Sequence, residues 1–154
     1  MPTANDIRAA IKARLEAVAD IGLVHDYERY AAEQSRFRQL YGAGGRILGW
    51  NISRVAARET FVDTGRWSVL TSWRIKGYMS LDDADQSEKL FDARIDAIRD
   101  AFRADDELGG AVLTSIRPDN SESGIQVLDQ RPVLFAGVLC HHALLGLTTQ
   151  HLNP

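Results

Sequence analysis

The stretch that decides the fold is residues 47–78, ILGWNISRVAARETFVDTGRWSVLTSWRIKGY. Two runs rich in β-branched and aromatic residues flank Asp63-Thr64-Gly65, which is the composition of two strands joined by a tight turn. A three-residue turn with Gly65 in the left-handed conformation corresponds to a type I turn with a G1 bulge. That register sets Phe61 opposite Trp67 and Val55 opposite Trp73, so the distal half carries one apolar face. Toward the base, the apolar parity of the first strand changes to Leu48, Trp50 and Ile52. An unbroken register would also set Arg54 against Arg74, a like-charge pair that costs stability. A bulge near Ser53 or Arg54 removes both conflicts, and bulges redirect strands. The expectation is a base around Leu48, Trp50, Ile52 and Tyr78 that belongs to the core, and a distal arm around Val55, Phe61, Trp67 and Trp73 that faces elsewhere. Length points the same way. A strand over residues 47–61 runs about 50 Å at roughly 3.3 Å per residue, whereas a compact domain of this size is roughly 40 Å across. Such a hairpin bends around its own core or projects, and a projecting apolar arm needs another surface to cover it.

Outward from the hairpin, residues 3–19 read as a helix, with Ile7, Ala10, Ile11, Leu15 and Val18 at helical spacing. Thr3 and Asp6 form a capping-box pattern and Gly22 is a stop signal. Residues 23–30 read as a short strand. In residues 31–41, Phe37, Leu40 and Tyr41 offer a small helical face, and Gly42-Ala43-Gly44-Gly45 then breaks the chain. Residues 80–85 are an acidic cap for a second long helix, 82–103, with Phe91, Ile95, Ile98 and Phe102 as its buried stripe. Asp105 and Asp106 oppose the dipole at its end, so either the helix stops before them or a cation lies close. Residues 111–117 read as a strand leading to the turn Pro118-Asp119-Asn120-Ser121, with residues 125–128 pairing back across it. Residues 133–145 read as one central strand that places Val133, Phe135, Leu139 and Leu145 on one face. The fold class expected is α+β: two amphipathic helices packed on a mainly antiparallel or mixed β-sheet with a long projecting hairpin at 47–78.

The 154 residues fit a single domain, 1–154, large enough for its own core. The net charge of −3 leaves no basic footprint for nucleic acid. No apolar run is long enough to span a bilayer, and the first twenty residues carry charges where a signal peptide has its apolar segment, so the chain reads as soluble and unexported. A single cysteine, Cys140, forms no internal bridge.

No catalytic residues, metal ligands or cofactor are assigned. The Gly42–Gly45 cluster lacks the Lys and Ser/Thr of a phosphate loop and precedes a strand, so it reads as a connector. Cys140, His141 and His142, with His25 and His151, are the best metal candidates. Strand alternation sends His141 to the face opposite Cys140 and His142, which argues against one tetrahedral ion. A small α+β enzyme or ligand-binding domain using Cys140 and His142 stays as an alternative. Asp82, Asp83, Asp85 and Glu88 fail the calcium-loop pattern, with Glu88 where Gly is required and Arg94 where Glu is required, and suit a helix start. Arg46, Arg54, Arg58, Arg66, Arg74 and Lys76, interleaved with Trp50, Trp67 and Trp73, fit a protein interface better than single-stranded nucleic acid in an acidic chain.

The order of elements resembles that of the tail terminator, or tail completion, proteins of long-tailed bacteriophages. The matching parts are an amphipathic helix over 7–18, a strand near 24–30, a long hairpin over 48–78, an acidic connector and helix over 80–102, and a turn-linked strand pair at 112–116 and 133–141. The resemblance covers nearly the full length and lies in order and pattern, without a short signature. It implies a non-enzymatic virion protein that forms a hexameric ring on the head-proximal end of the tail tube, ends tube polymerisation and offers the surface to which the head joins. The implied partners are further copies of the chain, the tail tube protein and a head-tail connector or completion protein. Genome DNA would pass through the lumen without specific binding, and no membrane is involved. Another neck or tail-completion adaptor is the neighbouring alternative. The hairpin and turns themselves supply the expected contact residues: Val55, Arg58, Phe61, Asp63, Thr64, Arg66, Trp67, Trp73 and Asp119.

Overall fold

In the computed structural model, which describes residues 2–29, 34–43, 46–84, 86–116 and 122–153, the hairpin is the centre of a mixed sheet. The elements are α1 (Ala4–Glu16), β1 (Leu23–His25), α2 (Gln34–Tyr41), β2 (Gly42–Ala43), β3 (Arg46–Asp63), β4 (Arg66–Ser80), α3 (Ser87–Arg103), β5 (Gln126–Phe135) and β6 (Val138–Asn153). The strands lie in the order β1–β3–β4–β6–β5, with β2 against the start of β3. The β1–β3 contact is parallel and the others are antiparallel. The class is α+β as expected, with three helices instead of two, because residues 34–41 close into α2.

The sheet is covered on both faces. On one, α1 and α3 bury Ile7, Ile11 and Leu15 and the stripe Phe91, Ile95, Ile98 and Phe102 against Trp50, Ile52, Trp73, Ile75, Leu145 and Leu147. Burying each such side chain stabilises the fold by roughly 1.5–3 kcal/mol. On the other, α2 sets Phe37, Leu40 and Tyr41 against Ile47, Tyr78, Val138 and Cys140. Tyr78, expected beside Leu48, Trp50 and Ile52, therefore belongs to the opposite face, where its ring lies 5.5 Å from Phe37 and 5.2 Å from Tyr41.

Local chemistry sets the helix ends. Thr3 Oγ1 accepts from the Asp6 amide at 3.2 Å while Asp6 Oδ2 accepts from the Thr3 amide at 2.7 Å, the reciprocal capping box. The first helix ends at Glu16, short of Ala19, and Gly22 serves the crossing into β1. There φ is +85° and an added Cβ would lie 2.2 Å from the Leu48 carbonyl oxygen, so only glycine fits. The last long helix begins at Ser87, not at Asp82. The preceding turn is tied by Asp82 N–H donating to Ser87 Oγ at 2.8 Å and Ser87 N–H donating to the Asp82 carbonyl at 3.0 Å. Both conditions posed by Asp105 hold: α3 stops at Arg103, and Arg14 Nη2 reaches Asp105 Oδ2 at 2.5 Å. Burial raises the Asp105 pKa, but its bonds from Arg14 and the Gly109 amide outweigh that and hold its carboxyl below the usual range.

The C-terminal third corrects several expectations. The strand at 111–117 is absent from the described residues 111–116, which make turns and one bridge, Thr114 to Gln150. Gln126 and Val127 pair with β6 instead, opposite Gly146 and Leu145, and Leu128 is bulged out before Asp129 resumes the pairing. The single strand over 133–145 is two strands, because Ala136 and Gly137 adopt φ of 50° and 77° and reverse the chain. Two consecutive positive φ values mark the type I′ hairpin turn, which normally carries Asn or Asp at its first position, so alanine there hides the signal. The four residues expected on one face divide: Val133 and Phe135 pack with Cys140, Leu145 enters the helix-covered core, and Leu139 is exposed. The strand at 23–30 is limited to Leu23–His25 among the described residues, and Tyr30, Gly44, Gly45 and Asp85 lie outside them.

Left-handed backbone costs a non-glycine residue about 1–2 kcal/mol, and asparagine bears it better than alanine. Ala136→Asn is therefore expected to stabilise the fold by about 0.5–1 kcal/mol. Urea unfolding measures this, and an unchanged or lower midpoint would show that the turn is not strained.

Candidate assembly surface at the hairpin

The partners of β3 change abruptly along its length. At its start it pairs with β2 through Arg46 and Ile47, and then with β1 through Gly49, Trp50 and Asn51. From Ile52 to Asp63 no strand among the described residues pairs with its outer edge. Every residue from Arg54 to Val62 is exposed. An edge of this kind offers unpaired backbone N–H and C=O groups to another chain.

The hairpin register sharpens the sequence reading. Phe61 pairs with Trp67 as expected, and the register shifts between Phe61 and Asp63, leaving Thr64 and Gly65 between the paired Asp63 and Arg66. The turn is therefore two residues, Thr64-Gly65, with the bulge at Val62 on β3, in place of the expected three-residue turn with a G1 bulge at Gly65; Gly65 still takes the expected left-handed φ, +85°. Nearer the base, Ser53 pairs with Arg74 and Arg54 with Trp73, so the two arginines never face each other. The bulged residue is Val55, one position beyond the expected site, and it has no partner across from it, in contrast to the expected Val55–Trp73 pair. The insertion changes parity: Leu48, Trp50 and Ile52 share the helix-covered face before it, and Ala57, Glu59 and Phe61 share that face after it.

Two further corrections concern the arm. It is not two-stranded, because β6 follows β4 to the tip, from Ser80 opposite Cys140 to Trp67 opposite Asn153. Trp73 is not a surface residue. Its ring is 0% exposed, its Nε1 donates to Thr149 Oγ1 at 3.0 Å, and the Arg8 guanidinium lies 5.8 Å from the ring centroid. The remaining candidates except Asp119 cluster at the free edge and tip. Phe61 and Trp67, 58% and 41% exposed, meet edge to face with centroids 5.4 Å apart. Val55 and Val62 are exposed at the two bulges. Arg66 Nε donates to both Asp63 oxygens at 2.9 and 3.0 Å, and this bonding holds the Asp63 carboxyl below its usual range. Thr64 is exposed at the turn, and Arg58, exposed on the edge, stands opposite Leu70. Asp119 lies outside the described residues.

The histidines and the cysteine do not converge. Cys140 is buried, its thiol donates to the Val133 carbonyl at 3.8 Å, and burial pushes its pKa up to about 11. At neutral pH it is a thiol, the unreactive form. His142 Nδ1 meets the Gly77 carbonyl at 3.0 Å, and burial holds its pKa below the usual histidine value. His141, on the other face, bonds Ser87 Oγ through Nε2 at 2.8 Å and stacks on Phe91. His25 Nε2 lies 2.5 Å from the Leu40 carbonyl. Among the described residues no three His, Cys, Asp or Glu side chains form a metal-binding group, and no helix is long and apolar enough to cross a membrane.

Sequence reasoning missed the shortness of β1, which creates the free edge, and a cleft between α3 and β5. Two adjoining cavities of about 340 and 370 Å³ open there against Glu88, Pro132 and His141. Only the charge concentration of the acidic segment hinted at that place. No protein-family model matches the chain, and no curated protein matches it.

Proposed function

We propose that this chain is a structural assembly protein of a phage virion that forms a ring on the head-proximal end of the tail tube. The ring ends tube polymerisation and presents the surface that a head-tail connector joins. The observation that supports assembly is the edge of β3 beyond Ile52, which no strand among the described residues pairs, lying beside the exposed Phe61–Trp67 pair. The tail assignment draws on the resemblance in element order, of which helix, short strand, long hairpin and helix remain, while β5 and β6 replace the strand pair at 112–116 and 133–141.

The bulges at Val55 and Val62 leave Ala56–Phe61 as the regular part of the edge, so strand addition there is short. Cover for the aromatic pair carries the larger share of the contact, because desolvated aromatic anchors dominate most interfaces. A lumen that lets DNA pass needs a wall without accumulated Lys and Arg, and an acidic balance outside the hairpin accords with that. The buried, protonated Cys140 supports a structural reading over one that uses Cys140 and His142 chemically.

Co-sedimentation with purified tail tubes and, separately, with filled heads tests the proposal, followed by negative-stain imaging of the pelleted tubes. The expected result is binding to tubes, with a ring at one end only. Binding to filled heads alone reassigns the chain to another neck adaptor. A monomer that binds neither overturns the reading.

A further inference from the structure

We infer that a second copy of this chain receives the hairpin tip, in the cleft between the first turn of α3 and the edge strand β5. The inference rests on the assembly half of the reading above and names the surface that completes it. The two surfaces are complementary in charge. The tip and free edge, residues 54–67, hold Arg54, Arg58 and Arg66 against Glu59 and Asp63, a net of +1, whereas the charged side chains lining the cleft, Asp83, Glu88 and Asp92 against Lys89 and Arg131, carry a net of −1. At the cleft, the carboxylates Asp83, Glu88 and Asp92 face Lys89 and Arg131, and Arg131 is already paired with Asp129 at 3.1 Å. On the hairpin, Arg54 and Arg58 have no ion-pair partner among the described residues.

Apolar surface matches as well. The cleft is lined by Pro132 and Leu81 beside the His141 ring, and its cavities are the size of small-ligand pockets, room for an aromatic anchor. Exposed Leu134 and Leu139 stand opposite each other beside the β5–β6 turn and extend the apolar surface at this end of the sheet.

The geometry makes the contact intermolecular. Tip and cleft lie toward opposite ends of the same strands, since Trp67 pairs with Asn153 and Ser80 with Cys140. Thirteen residue steps along β6 separate those pairs, which is roughly 40 Å of strand. No molecule can reach its own cleft across that span of paired sheet. A tip-to-cleft contact is heterologous, so it leaves each copy with one tip and one cleft to use and closes into a ring when the rotation permits.

The test mixes two variants, Trp67→Asp at the tip and the double substitution Glu88→Arg with Asp92→Arg at the cleft, each checked for folding by circular dichroism and urea titration. By native mass spectrometry the unaltered chain is expected to form closed oligomers, each variant alone to remain monomeric, and the equimolar mixture to form 1:1 heterodimers. The mixture pairs the intact cleft of the first variant with the intact tip of the second. A cleft variant that oligomerises normally, or a mixture that stays monomeric, overturns the inference, as does a monomeric unaltered chain. Tube binding separates the two ideas. If the cleft variant assembles normally while Trp67→Asp loses tube capping, the cleft is wrong and the hairpin reading stands.

Discussion

Gly77→Ala is expected to destabilise the fold by about 2–4 kcal/mol, a large cost for one methyl group. Gly77 pairs directly with Trp50 across β3 and β4, and an added Cβ would lie 2.2 Å from Trp50 Cζ3 and 2.4 Å from Cε3. The indole cannot move aside freely. It is fully buried, its Nε1 donates to the Ile21 carbonyl at 2.8 Å, and it stacks on Phe91 with centroids 5.8 Å apart and planes 19° from parallel. Displacing it gives up the stack and leaves a buried carbonyl unsatisfied, which costs about 1–3 kcal/mol on its own. Trp50→Ala, which removes the ring, is expected to cost about 3–5 kcal/mol. The double variant is expected to cost less than the sum of the two, because the clash disappears with the ring. Urea unfolding of all three measures the coupling, and a neutral Gly77→Ala would show that Trp50 has room to shift.

Trp67→Asp and Trp73→Asp, six residues apart on one strand face, are expected to fail in opposite ways. Trp73 is sealed in the core, so an aspartate there loses the packed ring, leaves a cavity in its place and buries a carboxylate whose nearest cation is the Arg8 guanidinium that lay against the ring. The expected cost exceeds about 4 kcal/mol, enough to unfold most of the population. Trp67 is exposed at the tip against Phe61, and its replacement is expected to cost less than about 1.5 kcal/mol through the lost ring contact. The Trp67→Asp protomer is therefore expected to fold, with ring formation and tail capping lost, and Phe61→Asp is expected to behave the same way. Chemical denaturation paired with tube capping separates the cases. Normal capping by both tip variants would remove the hairpin from the assembly surface.

The difference between these tryptophans was not legible in the chain. Both lie in a run that alternates apolar residues, and a hairpin read alone gives them the same surface. What separates them is β6, which follows β4 to its tip, and the α1–α3 layer that covers Trp73 but stops short of Trp67. The bulge was legible to within one residue, because two independent conflicts, the parity change at Leu48–Ile52 and the Arg54–Arg74 clash, both demanded it. The Ala136–Gly137 turn was not, because alanine at positive φ carries none of the usual turn chemistry. The nonexistent strand at 111–116 has a related cause: an apolar alternation that fits a strand is satisfied here by Val112 buried under the helices and one bridge to β6.

By itself the sequence determined the α+β class, the long hairpin, the capping box at Thr3, the buried stripe of α3 and the tip pair Phe61–Trp67. All follow from spacing along the chain or from residues adjacent across one turn. Only the tertiary structure decided the sheet order, the opposite-face packing of α2, the burial of Trp73 and the free edge beyond Ile52. Those depend on where distant segments end. β1 pairs through only three residues, and the edge it leaves uncovered exists only once the sheet has formed.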